Sequence, residues 1–370
     1  MQKPQKQPLI YMLHSANLFG TERMAMETLI VFQDEYHPII ICPPGPLEAV
    51  AAQYGIEVHV FRSTLDLGKK ISRILRSHRR LVAFTTSIKQ SAWLLALNVV
   101  CRRKIAHVHM VHGGASDRQS YGSKSIFNYT RTLQGAVSVF VKDRLIAHGV
   151  RRELIRVMPN FLSLRTQQGI SARKPFLRDG ARRGLVISRL VVSKRVDLLL
   201  DALELDDGLR KLDITIYGLG GQRKILQRRA ESNDLPISFP GFSDDLRHQM
   251  SEYDFLIHLC PTEPFGMVIL EAGVAGIPVV VPDSGGVASI VKDGVTGIKF
   301  QTENADSLAA ALRKIMHAPV EPRNGLASRA RQEVKSNYDC AAGLATYRQV
   351  LAEIGDFAPR DQPQHLSTKP

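Results

Sequence analysis

Short apolar runs alternate with longer amphipathic stretches along almost the whole sequence, and this alternation limits the folds that the chain can adopt. Apolar strands that alternate with helices are typical of parallel sheets covered by helices on both faces. We therefore predict an α/β protein. In the first half of the chain, helices are expected at residues 21–33 and 47–53, and strands at 9–14, 38–42, 57–61, 81–85, 105–111, 137–141 and 155–158.

The alternation lapses once, in the polar and basic segment between residues 161 and 183, and strands are expected again at 185–187, 212–217, 255–259 and 279–281. A length of 370 residues suits two domains of roughly 150–200 residues each. Two α/β domains in tandem favour a ligand cleft between them, at the carboxyl ends of the strands. The predicted organisation is a first domain at 1–165, a linker at 166–182, a second domain at 183–340 and a disordered tail at 356–370.

Cysteine use and hydropathy exclude several classes of protein. The four cysteines stand alone, which argues against a disulfide framework or a structural zinc site and favours a reducing compartment. The first eight residues are polar and lack a signal region, and the longest apolar run, residues 92–101, is too short for a membrane span. We therefore expect a cytoplasmic protein that is at most peripheral to a membrane.

The most informative segment is residues 261–297, PTEPFGMVILEAGVAGIPVVVPDSGGVASIVKDGVTG. Glu263 precedes a Pro-Phe-Gly turn, and Glu271 lies in the helix that this turn is expected to open. Backbone N–H groups at a helix start, with no side chain at Gly266, form a natural site for a diphosphate. Glu263 is placed to accept hydrogen bonds from hydroxyl groups, and Glu271 to bind a ribose diol. Taken alone, the two glutamates also fit the commoner situation of a loop acid and an ordinary helix carboxylate.

Two cations and a glycine turn lie at other predicted strand ends. Arg189 ends one strand and Lys194 precedes an apolar-periodic helix. This arrangement suits a diphosphate leaving group, but it also fits two solvated surface cations. Gly218 and Gly220 belong to a G-x-G-G turn, which in isolation is a weak dinucleotide-binding signal because no acidic residue ends the next strand at the expected distance.

Glycine and histidine motifs also follow strands in the first half of the chain. Gly20 and Thr21, in NLFGTER, fit either a tight turn near a ligand or a helix start capped by Thr21. The sequence HVHMVHGG places His107, His109 and His112 at the end of one strand. We expect no metal there, because no Asp, Glu or Cys joins the histidines at ligand spacing. His107 and His109 are expected to be packed strand residues.

The positive charge of the chain is unevenly distributed. The net charge is +14, from 49 Lys and Arg against 35 Asp and Glu, and +13 of it lies in residues 1–170. Such asymmetry points to a polyanion, a membrane surface or an acidic ligand. The segment KKISRILRSHRR predicts an amphipathic helix that is either an ordinary surface helix or a face for anionic lipid. Its cations include Lys69, Lys70, Arg73, Arg76 and Arg80.

Nucleic acid is not an expected partner. The sequence contains no recognisable nucleic-acid module, and its few aromatic residues are not interleaved with the basic ones.

Together these motifs resemble those of glycosyltransferase family 4. Residues 261–297 carry the E-x7-E motif of that family in its setting of EPFG, EA and GG, and residues 187–202 resemble its R-L…K-G-x-D segment. The G-x-G turn, the glycine loop NLFGTER, the histidine before Gly113-Gly114 and the pair Pro159-Asn160 are similar to family motifs too. The sequence departs from the family at four positions. Thr21, Phe161 and Arg195 stand where the family has Gly, and Ser289 stands where it often has Glu.

The resemblance implies a GT-B fold, in which two Rossmann-like domains have parallel sheets facing a central cleft. The acceptor domain comes first and the nucleotide-sugar domain second, and the helix at 341–355 returns to the first domain. The implied activity is retaining transfer of a hexose from a UDP- or GDP-sugar to an acceptor hydroxyl, with no obligatory metal or other cofactor. The implied acceptor is a saccharide or a lipid-linked molecule, in the synthesis of polysaccharide, lipopolysaccharide or glycolipid.

The resemblance also implies roles for individual residues. Arg189 and Lys194 would bind the diphosphate, and Glu263 the sugar hydroxyls. Glu271 would bind the ribose, and His112 the sugar from the opposing domain. In this family the leaving phosphate oxygen takes the acceptor proton, so that no side chain need act as a base. Further donor contacts are expected from Gly20, Gly218, Gly220, Pro264, Phe265, Gly266 and Met267, with the nucleobase near residues 240–242.

Three alternative functions fit parts of the sequence. A nucleotide-sugar epimerase of the same fold would use the same donor motifs without an acceptor. An NAD-dependent oxidoreductase rests only on the G-x-G-G turn. A non-catalytic module that binds a sugar or a membrane is the third alternative, and donor cleavage would exclude it.

Overall fold

The computed structural model of the chain describes residues 6–113, 120–130, 132–243 and 245–355. By their internal contacts these residues divide into two units. The first unit contains residues 6–110, 132–134 and 344–355, and the second contains 111–113, 120–130, 135–243 and 245–343. The tail predicted at 356–370 lies outside the described residues, and the predicted boundaries at 165, 182 and 340 stay predictions.

The first sheet has the strand order β3-β2-β1-β4-β5-β6-β7 in the described part of the chain. The pairings among β1 to β5 are parallel, and they place Ile10 of β1 beside Ile39 of β2 and Ala83 of β4. The strands are β1 (Pro8–Met12), β2 (His37–Cys42), β3 (Glu57–Val60), β4 (Arg80–Thr85), β5 (Lys104–Val111), β6 (Leu133–Ala136) and β7 (Ile155–Val157).

Serine side chains set where several helices of this half begin. Ser63, Ser87 and Ser138 each accept a hydrogen bond from a backbone N–H group three residues further on, which satisfies one of the free donors of a helix start. The helices are α1 (Gly20–Phe32), α2 (Leu47–Gln53), α3 (Thr64–Ser77), α4 (Ile88–Cys101), α5 (Val139–Ala147) and α6 (Leu164–Gln168), with 3-10 turns at Gly122–Tyr129 and Arg152–Leu154.

The second sheet has the order β10-β9-β8-β11-β12-β13 and pairs in parallel throughout. This order runs outward in both directions from β8, so that β8 and β11 meet at the switch point where open α/β sheets bind their ligands. The strands are β8 (Arg183–Ile187), β9 (Asp213–Tyr217), β10 (Ile237–Gly241), β11 (Phe255–Ile257), β12 (Val279–Pro282) and β13 (Ile298–Phe300).

Helices on both faces bury this second sheet, and its core contains Val186, Ile214, Phe255 and Val280. The helices are α7 (Asp197–Leu205), α8 (Arg223–Ser232), α9 (Leu246–Gln249), α10 (Met267–Ala275), α11 (Val287–Ile290), α12 (Ala305–Met316), α13 (Val320–Asn337) and α14 (Cys340–Ile354), with 3-10 turns at Val192–Lys194, Asp207–Lys211 and Met250–Glu252.

The predicted fold class, two Rossmann-like halves with parallel sheets, is confirmed. One predicted strand, at 137–141, is wrong. The strand is β6 (Leu133–Ala136), and α5 begins at Val139 because the Ser138 side chain caps it through the N–H group of Val141. The sequence analysis also missed β10 and β13, which are short and lack a long apolar run.

The last helix, α14, belongs in part to the first unit, which contains its residues from 344 onward. Its Tyr347 is fully buried and packs against the rings of Phe32 and Phe84, with ring centroids 6.2 and 5.5 Å away. Burial of three aromatic rings in one cluster anchors the end of the described chain in the core of the first unit.

Candidate active site

Two of the predicted site residues form an ion pair at the carboxyl ends of the central strands of the second sheet. Lys194 lies in the 3-10 turn after β8, and Glu263 lies in the loop after β11. Nζ of Lys194 is 2.5 Å from Oε2 of Glu263, and the two side chains are only 16% and 18% exposed. Parallel neighbouring strands therefore bring together two groups that are 69 residues apart in the sequence.

The ion pair keeps both side chains charged. Burial alone would lower the pKa of Lys194, but the Glu263 carboxylate raises this pKa above its usual value. Burial alone would raise the pKa of Glu263, but the nearby Lys194 ammonium outweighs it and lowers this pKa below its usual value. Arg189, which follows β8, acts in the same direction on Glu263. The site thus holds two cations and one carboxylate at neutral pH.

A third side chain, His258, contacts the same carboxylate and was missed by the sequence analysis. It follows β11 directly, is 6% exposed, and its Nε2 lies 3.7 Å from Oε2 of Glu263, beyond hydrogen-bond distance. Burial lowers the pKa of His258 to about 4, so the ring is neutral near pH 7. The sequence did contain a signal for it: His258 is a polar residue inside the apolar run FLIHLC. A buried polar side chain at a strand end usually has a partner or a function.

Gly266 lets the chain turn directly from the Glu263 loop into α10. Its φ is +95°, and a Cβ at this position would lie 2.5 Å from Cγ1 of Val287. The N–H group of Gly286 donates to the carbonyl oxygen of Glu263 at 2.6 Å and holds the loop from the other side. Phe265 is buried beside Tyr338, with ring centroids 5.9 Å apart. Met267 then begins α10, so the helix start faces the turn that carries Glu263.

Glu271 lies within α10 and is 7% exposed. Its Oε1 is 2.9 Å from a guanidinium nitrogen of Arg247 in α9. The sequence analysis did not identify Arg247. The ion pair orients the carboxylate, and the role of Glu271 toward a ribose stays a prediction.

The glycine turn at Gly218 and Gly220 packs against the strand end that carries Arg189. A Cβ at Gly218 would overlap the carbonyl oxygen of Ser188, and one at Gly220 would overlap that of Leu190. Gly218 also has a φ of +147°, and its N–H group donates to the carbonyl oxygen of Gly241 at 2.7 Å. Only glycine permits this close approach of two backbone segments.

The segment that ends with His112 and Gly113 lies against the Glu263 loop within the second unit. A Cβ at Gly113 would overlap Cγ of Pro264, and Oγ of Ser138 donates to the carbonyl oxygen of Pro264 at 2.6 Å. Tyr121 is buried nearby: burial raises its pKa to about 12, and the negative charge of Glu263 adds to this effect. The structure thus places the His112 segment and Tyr121 at the same turn, and Tyr121 is a site candidate that the sequence analysis missed.

The remaining predicted residues lie in the first unit. Gly20 is the first residue of α1, and the alternative that Thr21 caps this helix is wrong, because Phe19 occupies the cap position. His107 and His109 are confirmed as packed strand residues: both are buried in β5. Among the described residues, no group of three or more His, Cys, Asp or Glu side chains is placed to hold a metal ion.

The basic helix is α3, and four of the five predicted cations lie on it. The exception is Arg80, which belongs to β4, because the helix ends at Ser77. Arg103 joins the end of α3 to the end of α4: its Nε donates to the carbonyl oxygen of Leu75 at 2.8 Å. Beside it, Val99 and Val100 are 76% and 82% exposed. No helix in the described residues is long and apolar enough to cross a membrane.

Comparison with known proteins finds relatives for the second half of the chain. Residues 169–333 match the family model described as Glycosyl transferases group 1. The lipopolysaccharide core biosynthesis glycosyltransferase LpsE of Rhizobium meliloti is 29% identical over 218 residues, 57% of this chain and 62% of that protein. A glycogen synthase of Mycobacterium tuberculosis is 32% identical over 200 residues, 51% of this chain and 47% of that protein. The matched segments thus span about half to three-fifths of these relatives.

Solved structures share the fold over nearly the whole chain. HepE of Anabaena in complex with UDP has a TM-score of 0.78 at 21% identity and covers 94% of this chain and 100% of its own. A glycosyltransferase from Rickettsia africae has a TM-score of 0.79 at 20% identity, with 94% and 98% covered. The lipopolysaccharide outer core galactosyltransferase WaaB has a TM-score of 0.75 at 15% identity, with 94% and 99% covered. The fold is therefore GT-B, and residues 169–333 carry the likeness to the group 1 glycosyltransferases.

Proposed function

We propose that the chain is an enzyme that transfers a hexose from a nucleotide diphosphate sugar to an acceptor hydroxyl, with retention of the anomeric configuration. The observation that carries this proposal is the buried ion pair of Lys194 and Glu263 at the start of α10, inside the segment that matches the family model. The complexes of HepE with UDP and with UDP-glucose support a UDP-sugar as the first donor to test.

The proposed division of labour follows from charge. The Lys194 ammonium and the Arg189 guanidinium stabilise the diphosphate, on which negative charge grows as the glycosidic bond breaks. Glu263 accepts hydrogen bonds from the sugar hydroxyls. In the chain without donor, Lys194 instead neutralises Glu263 at 2.5 Å. Donor binding therefore exchanges the partner of Lys194, from a carboxylate to a phosphate.

The proton of the acceptor hydroxyl needs a base, and the side chains around Glu263 are poor ones. The pKa of Glu263 is lowered, and that of His258 lies at about 4, so both release protons readily. The raised pKa of Lys194 keeps it protonated. We propose that a leaving phosphate oxygen takes this proton. The acceptor oxygen forms its bond to the anomeric carbon on the face from which the phosphate oxygen departs.

We propose that no metal ion is obligatory. The charge of the diphosphate is met by Arg189, Lys194 and the start of α10 at Met267, all of which lie at the carboxyl ends of β8 and β11. In glycosyl transfer these groups take the part that a bound cation otherwise plays. Chelator-treated protein is expected to retain its turnover, measured as donor consumed in the presence of acceptor.

For the acceptor we propose a saccharide or lipid-linked molecule at an anionic membrane surface. Arg103 joins the end of the cationic helix α3 to the end of α4, where Val99 and Val100 are exposed. Cations with exposed apolar side chains suit an interface where charges meet lipid headgroups and apolar side chains enter the boundary region. The names of LpsE and WaaB place those proteins in lipopolysaccharide synthesis, which makes the lipopolysaccharide core a first acceptor class to test.

Liposome sedimentation tests the membrane part of the proposal. Binding to anionic vesicles and not to neutral ones is expected, and Arg76→Glu should weaken it. Lys89→Glu is the matched control, because Lys89 is exposed at the opposite end of α4 from Val99. Equal sedimentation with both lipids, or an equal effect of both variants, would argue against a charge-driven membrane role.

A thermal-shift screen across UDP-, GDP- and ADP-sugars tests the donor, because a ligand that binds only the folded state raises Tm. Glu263→Ala should abolish transfer while circular dichroism shows an intact fold, and unchanged turnover would overturn the assignment of the site. Sugar release that does not depend on any acceptor would favour an epimerase. Binding of a nicotinamide cofactor would favour an oxidoreductase, and an absence of donor cleavage a binding module.

A further inference from the structure

A second charged cavity lies in the second unit, away from the candidate active site. The chain between α6 and β8 folds over it, and its volume is about 680 Å³. This size falls within the range of small-molecule sites, roughly 300–1,000 Å³. We call it the basic cavity; it is lined by residues 173–180, Arg182, Ser251, Asp254 and Arg323.

The basic cavity and the candidate active site lie at opposite edges of the second sheet. Asp254 directly precedes β11 and Arg182 directly precedes β8, so the cavity is at the amino ends of these strands. Arg189 and Glu263 follow the carboxyl ends of the same strands. The N–H group of Arg173 donates to the carbonyl oxygen of the last residue of α10 at 2.7 Å, so the cavity adjoins the end of the helix whose start faces Glu263.

The inner wall of the cavity is rigid and cationic. Arg173 and Arg323 lie on the ring of Phe176, with their guanidinium carbons 4.3 and 3.9 Å from its centroid. Arg323 is 2% exposed, and its terminal nitrogens donate to the carbonyl oxygens of Gly180 and Arg178. In the described residues, Nε of Arg173 and Nε of Arg323 are buried donors without an acceptor. Buried N–H groups of this kind call for a partner.

The carboxylates of the cavity are already engaged. Asp254 accepts hydrogen bonds from the Arg173 guanidinium at 2.9 Å and from the backbone N–H group of Arg182 at 2.8 Å. Asp179 accepts one from the backbone N–H group of Val320, at the start of α13, at 2.7 Å. Two carboxylates therefore face five cations, which are Arg173, Lys174, Arg178, Arg182 and Arg323.

The outer rim supplies two cations that are free to meet a ligand. Lys174 and Arg178 are exposed, and neither side chain makes a hydrogen bond or ion pair within the part of the chain that the structure describes. Guanidinium groups held by hydrogen bonds, with exposed cations at the mouth of the cavity, suit an anion with several oxygen acceptors. We propose that the basic cavity binds a small phosphate-bearing molecule, at a site separate from that of the sugar donor.

Inorganic pyrophosphate is the probe, and isothermal titration calorimetry on the full chain measures its Kd. Lys174→Ala with Arg178→Ala should weaken binding at the cavity by at least about tenfold, since two charge-assisted contacts are lost. The matched control is Arg228→Ala with Lys335→Ala, which removes two exposed cations of the second unit outside the cavity. This control should leave Kd unchanged. All four substituted residues are exposed, so folding is expected to persist, and circular dichroism checks it.

A donor-site variant, Arg189→Glu, separates the two sites, because Arg189 is exposed and the buried pair of Lys194 and Glu263 stays intact. Pyrophosphate binding that survives this variant and is lost in the cavity variant supports the proposal, whether or not the chain proves to be a transferase. Binding lost only in the donor-site variant assigns the probe to the active site and overturns it. No binding, or equal weakening in the cavity variant and its control, overturns it as well.

Discussion

Replacement of Lys194 by Met tests the ion pair at the candidate active site most directly. The substitution keeps the length of the side chain but removes the ammonium group, which leaves the Glu263 carboxylate buried at 18% exposure without its partner at 2.5 Å. Loss of one member of a buried pair costs about 3–5 kcal/mol of unfolding free energy. The pair of Lys292 and Glu333, 2.7 Å apart, is the control: Glu333 is 18% exposed like Glu263, but the Lys292 side chain is 58% exposed and its charge is largely solvated. Lys292→Met should cost at most about 1 kcal/mol.

The pH dependence of this loss has a definite sign. In the unaltered chain the pKa of Glu263 is lowered, so its contribution is present above the unfolded pKa of about 4.3 and is lost as pH falls through the folded pKa. In Lys194→Met, burial is the dominant remaining effect and raises the pKa of Glu263 instead. The variant is therefore most destabilised at neutral pH, and its deficit should shrink as pH falls toward about 4.

Urea unfolding followed by circular dichroism, at pH 7 and at a series of lower pH values, measures both effects. Glu263→Gln in the Lys194→Met background completes a double-mutant cycle and should recover part of the lost free energy at pH 7, because an amide is buried at lower cost than an unpaired carboxylate. If Lys194→Met costs no more than Lys292→Met, or if its deficit grows as pH falls, the electrostatic account of the pair is wrong.

Three other substitutions test the packing inside each unit. Gly218→Ala should destabilise the second unit by about 2 kcal/mol or more, because its Cβ would overlap the carbonyl oxygen of Ser188 at a φ of +147°; a urea midpoint unchanged within error would contradict this. Burial lowers the pKa of His107 to about 4, so the stability of its neutral form is present above about pH 6.5 and falls by up to about 3 kcal/mol toward pH 4. His107→Asn should flatten that acid-side decline in a pH series of unfolding curves, and parallel curves would count against it. Tyr347→Ala should cost about 3–5 kcal/mol through the cavity left beside Phe84, which a lowered Tm would show and an unchanged Tm would refute.

The alternation of apolar and amphipathic segments was sufficient to predict the class of fold. A strand that is buried on both faces needs apolar residues at nearly every position, so it is recognisable as a short apolar run. It failed at residues 137–141, where Val139, Phe140 and Val141 have strong strand propensity. The adjacent Ser138 accepts a hydrogen bond from the N–H group of Val141 and caps the start of a helix. This local hydrogen bond favours a helix over the strand that propensity predicts. It also missed β13, because three residues of strand leave no period to recognise.

The site was predictable only as separate motifs. The sequence places Lys194 and Glu263 at the ends of two strands. Their ion pair forms because β8 and β11 are neighbours in the sheet, and this strand order could not be read from the sequence. At Arg195, where the sequence departs from the family's Gly, the structure explains how the departure is accommodated. The φ of Arg195 is +51°, a conformation that favours glycine, so the backbone of the loop tolerates the substitution. An ion pair with Asp197 at 3.3 Å helps to hold the arginine there.

The uneven charge of the chain and the proposed donor chemistry belong to different surfaces. At the candidate active site Glu263 already neutralises Lys194. The contribution of Lys194 to donor binding is therefore only the difference between its interaction with phosphate and its interaction with this carboxylate. Because the exchange happens in a buried site, added salt should affect it weakly, whereas the exposed cations of α3 act through water and are screened within about 8–10 Å at physiological ionic strength. Donor affinity should therefore stay nearly constant between low and physiological salt while binding to anionic vesicles declines. An equally steep salt dependence of the two would show that donor binding is governed by surface charge and not by exchange of the buried pair.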